Sequence, residues 1–167
     1  MTMDVERIAR HLVVTRSTVG RAFPPRTLHA IDAAIKASEA SHRGEIRFAV
    51  EGALDLAALL RGKTAREQAI DVFSQLRVWD TERNNGVLIY LLLADRDVEI
   101  VADRGIHERV GAQEWEGICR GMEAAFRNAD FEGGVLAGIR EVTRHLARHF
   151  PPVGDDRNEL PDRPVVL

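Results

Sequence analysis

Seven consecutive residues constrain this chain more than any others. Val87 to Leu93 reads VLIYLLL, apolar without interruption. A run that short and that continuous fits a central strand covered on both faces. It is far below the roughly 20 residues a membrane helix needs. A polar turn, Asp80 to Gly86 (DTERNNG), leads into it, and Ala94 to Asp97 (ADRD) leads out. Val98 to Ala102 (VEIVA) follows as a second strand, most simply the return arm of a hairpin.

The flanking segments supply the partners. Glu45 to Val50 alternates, with Ile46, Phe48 and Val50 facing one way and Glu45 and Arg47 the other, which is a strand. Thr27 to Ser41 reads as a helix through Leu28, Ile31 and Ile35, ended by His42, Arg43 and Gly44. Thr64 with Glu67 forms a capping box that opens a helix running to about Leu76. Two further helical stripes follow: Ala112, Trp115, Cys119, Met122 and Phe126, then Val135, Ile139, Val142, Leu146 and Phe150. The order is α-β-α-β-β-α-α. The first two strands are joined through a helix and are therefore expected in parallel, with a right-handed crossover. The fold class is α/β: a Rossmann-like, three-layer α/β/α sandwich around a small mixed sheet.

Proline marks the limits. Pro24 and Pro25 come early, and Pro151, Pro152, Pro161 and Pro164 come late. Residues 26–150 are read as the folded domain, since nothing between forces a break. Residues 1–25 form an amino-terminal segment with a short helix over Asp4 to Leu12 and a loop over Thr15 to Gly20. Residues 151–167, rich in Pro, Asp and Arg, are read as a mobile tail.

At 167 residues and 18.6 kDa, one domain is the natural reading. The single Cys119 excludes an internal disulfide framework and any multi-cysteine metal site. A formal net charge of -3 argues against a general nucleic-acid surface. The opening Met1 to His11 mixes both charge signs with no apolar stretch behind it, which reads as a soluble cytoplasmic protein without membrane insertion.

Several motifs are better explained without chemistry. Arg61-Gly62-Lys63-Thr64 ends like a phosphate-binding loop, but Ala57 stands where the pattern needs Gly. The cap at Thr64 accounts for it. His145 and His149 lie four apart on the last helix, a metal-compatible spacing. Leu146 takes the place of the zinc-protease Glu, and a solvated helix end with His favouring the dipole is the simpler reading. Cys119 sits on an apolar stripe, as a buried structural thiol would.

Carboxylates at the strand ends carry more. With the hairpin in place, one end of the sheet collects Glu45, Asp80, Glu82, Asn84, Asn85 and Asp103. The other end collects Glu51, Asp95 and Asp97. Oxygen donors of this kind suit calcium or magnesium. Turn residues holding the backbone through their side chains would look the same.

The run Ser41-His42-Arg43-Gly44-Glu45-Ile46-Arg47, then Asn85-Gly86-Val87-Leu88-Ile89-Tyr90, then Asp103-Arg104-Gly105-Ile106 occurs in order. With Phe126 to Gly134 (FRNADFEGG) and Gly138-Ile139, the chain resembles a TPM domain over roughly residues 27–150. The resemblance implies an α/β/α sandwich and, in some members, divalent-cation binding. It also implies a weak acid phosphatase activity in a plant member. It draws attention to Glu45, Asn85, Asp103 and Gly105. This chain lacks the apolar anchor of many relatives, and Gly105-Ile106-His107-Glu108 replaces their Gly-Leu-Glu-Gly, so it resembles a compact bacterial branch.

Two functions are expected from these readings. The first is a cation-binding interaction module acting through a protein partner, with Glu45, Asn85 and Asp103 as ligands and Glu51, Asp95 and Asp97 as a second cluster. The alternative is a metal-assisted phosphatase with Asp103 holding a cation, Arg104 clamping phosphate and His107 as the acid.

Overall fold

The computed structural model of the chain describes residues 4–154 and 157–167. Residues 1–3 of the amino-terminal segment and residues 155 and 156 of the tail lie outside the described residues. The sheet is built on β2 (Gly86–Leu92), whose seven residues are all buried, as its continuous apolar run demands. It pairs in parallel with β1 (Glu45–Glu51) and antiparallel with β3 (Asp97–Ala102). The return arm is a tight turn in which the Arg96 amide donates to the Leu93 carbonyl at 3.1 Å.

Helices fill the other two layers. Against one face pack α3 (Pro25–Ser38), α7 (Ala112–Arg127) and α8 (Phe131–His149), over Ile46, Phe48, Val50, Val87, Ile89 and Leu91. The other face carries Ala49, Leu88, Tyr90, Leu92 and Val101 under α5 (Ala65–Gln75). The α5 cap is the reciprocal Thr64–Glu67 box. A first helix, α1 (Val5–Val13), opens the described chain. Among the described residues, no helix is long and apolar enough to cross a membrane.

Three helices fall where the sequence predicts loop or nothing regular. They are α2 (Arg16–Ala22), α4 (Leu56–Leu60) and α6 (Arg104–Val110). Each has two turns or fewer, too short for a 3.6-residue stripe to show. Each is announced by its cap instead: Thr15 with Thr18, Asp55 onto the Ala58 amide, and Asp103 onto the Arg104 amide.

The expectation of a mobile tail is corrected. Val165–Val166 form β4, paired in parallel with Ala49 and Val50, and the sheet order is β3-β2-β1-β4. Leu160 is buried in the second core layer. The cause lies in β1. Without β4 it would be an open edge, and its Glu45 and Arg47 would face solvent. The tail covers both: the Arg47 guanidinium donates to the Pro161 carbonyl, and Glu45 accepts from tail amides.

Candidate functional site

The backbones of Glu45, Asn85 and Asp103 meet at one end of the sheet. Glu45 lies opposite Gly86 in register, its amide donates to the Asn85 carbonyl at 3.3 Å, and the Asp103 amide donates to the Gly86 carbonyl at 2.9 Å. Their side chains part company. Asp103 lies just past the end of β3, on the far side of Gly86 from Glu45, so the two backbones stand two strand spacings apart, about 10 Å. The gap above Gly86 is filled by the carbonyl of Val78, which leaves no room even for a Cβ there. Asn85 precedes Gly86, and its Nδ2 donates to the Arg43 carbonyl at 2.7 Å.

Glu45 is committed to the tail. The Glu159 amide donates to Oε1 at 3.0 Å and the Leu160 amide to Oε2 at 3.3 Å. Burial pushes its carboxyl up to about 7, against the lowering effect of those two amides. Next to it burial, followed by the neighbouring Asp162 carboxyl, raises Glu39 to about 8. Asp103 is different. Its Oδ1 caps α6 through the Arg104 amide at 2.7 Å, while Oδ2 is buried and, among the described residues, accepts no hydrogen bond. Asn85 Oδ1 is the other buried oxygen of this end without a donor. Gly105 comes so close to the preceding loop that a Cβ would lie 2.6 Å from the Asn84 carbonyl oxygen and 2.7 Å from that of Arg83.

The opposite end holds Glu51, Asp95 and Asp97, and here Glu51 and Asp95 serve the fold. Glu51 accepts from the Tyr90 hydroxyl at 2.7 Å and from Gln68 at 2.8 Å. Burial and this carboxylate push the Tyr90 hydroxyl upward. Asp95 is seized by α1: Arg7 Nε stands at 2.9 Å and His11 Nε2 at 3.1 Å, with Arg10 at 3.5 Å. The Leu54 amide donates to His11 Nδ1, which places the ring proton on the nitrogen facing Asp95. Asp97 is raised to about 6, chiefly by burial. Among the described residues, no three His, Cys, Asp or Glu side chains gather as a metal would require.

Beside this second end an open cleft of about 1220 Å³ lies between α1, α2, the β2–β3 turn and the start of α8. Arg10, Arg21, Arg26 and Arg96 line it. Sequence reasoning missed these residues because four separate elements supply them and no spacing links them. His107 lines a second cleft with Trp115 and Cys119, not with Asp103.

The remaining motifs are structural. Lys63 pairs with Asp71 at 2.6 Å, and Thr64 caps α5. Burial raises the Cys119 thiol to about 12. The helix-end reading of His145 is corrected: it is buried edge-on against Trp115, ring centroids 5.6 Å apart, because α7 and α8 pack together. His149, one turn further along α8, is half-buried.

A mixed four-stranded sheet with helices on both faces defines a three-layer α/β protein. The profile of the family described as the TPM domain matches residues 20–145, and the chain belongs to that family. The BA42 protein from the psychrophilic bacterium Bizionia argentinensis, determined by NMR, superposes with a TM-score of 0.74. It is 30% identical, covering 84% of this chain and 92% of its own. The N-terminal domain of a P. gingivalis protein has a TM-score of 0.59 at 18% identity, covering 78% and 82% respectively, a likeness of fold alone. A comparison with curated proteins returns no match.

Proposed function

We propose that this chain is a binding module of the TPM family that takes calcium or magnesium weakly at the Asp103 end of the sheet and acts through a protein partner. The observation that carries this reading is the buried Asp103 Oδ2, which lacks a donor, two residues from the close approach of the Arg83 and Asn84 carbonyls to Gly105. An all-oxygen set of one carboxylate and backbone carbonyls suits a hard cation. Affinity rises with the number of charged ligands, and one carboxylate belongs to the millimolar class. Glu45 is not a ligand in this reading, because both of its oxygens already hold the tail. Phosphatase chemistry is the less supported alternative, since His107 faces the cleft of Trp115 and Cys119.

The test is thermal unfolding in chelator against calcium or magnesium. A cation at five times its dissociation constant adds about 1 kcal/mol, a rise of about 2–4 °C in a domain of this size. Asp103→Asn keeps the cap and removes the charge, and it abolishes the rise. Asp95→Asn lowers the baseline and leaves the rise intact. The reading fails if neither cation moves the curve, or if Asp95→Asn removes the effect and Asp103→Asn does not. Aryl phosphate hydrolysis is expected to be weak or absent in the same preparation. Cation-dependent turnover lost in Asp103→Asn would put the phosphatase first.

A further inference from the structure

We propose that the cleft at the carboxyl ends of β1 and β2 binds a small organic oxyanion, a carboxylate or phosphate carried on an apolar body, clamped by Arg21, Arg26 and Arg96. Position is the first argument. In open α/β sheets the crevice beyond the carboxyl ends of the parallel strands is where ligands sit. Here that crevice is bordered by Leu93 to Arg96, directly after β2, and its volume of about 1220 Å³ has room for a ligand of that kind.

Charge is the second argument. Against a net charge of -3 over the chain, four arginines line one opening. Arg10 shares Asp95 with Arg7. Among the described residues, the guanidinium groups of Arg21, Arg26 and Arg96 have neither an ion pair nor a hydrogen bond, and all three residues are exposed. The acids of the lining are spoken for. Asp95 is held by Arg7 and His11, Asp130 caps α8 through the Gly133 amide at 2.9 Å, and Glu132 accepts from the Thr27 hydroxyl at 2.5 Å. Three free planar forks around one opening suit bidentate recognition of carboxylate or phosphate.

Shape is the third. The walls between the arginines are apolar, from Val13, Val14, Ala22, Leu93 and Phe131. The rim is held in an uncommon backbone: Arg96 has φ 53° and Ala129 φ 59°, left-handed values that non-glycine residues rarely adopt. A bare inorganic ion would leave the apolar walls uncovered, whereas an aromatic or aliphatic body covers them.

The experiment is an amide NMR titration of the full chain, in chelator and at low salt, with phenylphosphonate and with benzoate, and with benzyl alcohol as the neutral control. Working in chelator separates its failure from failure of the cation reading. The expected result is saturable shifts at Arg21, Arg26, Arg96 and residues 130–132 with at least one anion, and none with the alcohol. Response to phenylphosphonate alone assigns a phosphate ester, and response to benzoate alone assigns a carboxylate. The double variant Arg21→Gln and Arg26→Gln weakens binding at least about tenfold, or 1.4 kcal/mol. Arg144→Gln, remote on α8, leaves it unchanged. Arg96→Gly is suited to its positive φ and keeps the fold, so it tests the clamp even if the double variant misfolds. It is expected to weaken binding several-fold. The proposal is overturned by no saturation with either anion, by equal binding of benzyl alcohol, or by full affinity in the folded arginine variants.

Discussion

Glu45 and His145 show how far one side chain's surroundings override its type. Both sit on positions whose sequence pattern reads as solvent-facing, and both are buried, so they respond to pH in opposite directions. Burial raises Glu45 to about 7 and, together with Asp162, raises Glu39 to about 8. A carboxyl raised on folding binds its proton more tightly in the native state. Its contribution is therefore complete below about pH 4.5 and is lost as pH rises through 7 to 8. Burial lowers His145, so protonating it costs stability as pH falls below 6.5. The expected profile, read by thermal melts, has a decline between about pH 5 and 8 that flattens in Glu45→Gln. A histidine NMR titration places the His145 midpoint below 6.5. An unchanged slope in Glu45→Gln removes Glu45 as the cause.

At the scale of elements, the instructive pair is β2 and β4. β2 is legible in the sequence because its signal is local: seven apolar residues bounded by turns. β4 has only two residues, and its partner is more than a hundred positions away, so no window of sequence contains the interaction. The partners of the strand-end carboxylates were hidden for the same reason. Glu45 pairs with Gly86 and the Asp103 amide bonds the Gly86 carbonyl, yet the Val78 carbonyl over Gly86 and the Glu159 and Leu160 amides decide what surrounds them. Removing the chain after Pro152 exposes Ala49 and Val50 on an open edge, uncovers Arg47 and takes away buried Leu160. Losing one buried Leu and several satisfied polar contacts costs about 2–4 kcal/mol, expected as a fall of about 5–15 °C in Tm. A shift within 2 °C would mean that the docked tail contributes little.

For the whole molecule, β2 is the shared floor of two cores. Leu91 faces the layer of α3, α7 and α8, while Leu92 faces the layer of α5, and both are fully buried. Leu91→Asp and Leu92→Asp are each expected to cost several kcal/mol, because either face would hold an unpaired charge. Circular dichroism melts of the two variants should show comparable losses. A mild effect at either one would mean that its layer is not closed. The strand and helix periods, the cap at Thr64 and the parallel crossover are properties of short segments, set by local sterics and by which side chains avoid water. Those the sequence determined by itself. Which acids remain available, which tail residues dock and which arginines share an opening are properties of distant segments brought together. Only the tertiary structure decided them, because burial, pairing and desolvation depend on neighbours that no local pattern specifies.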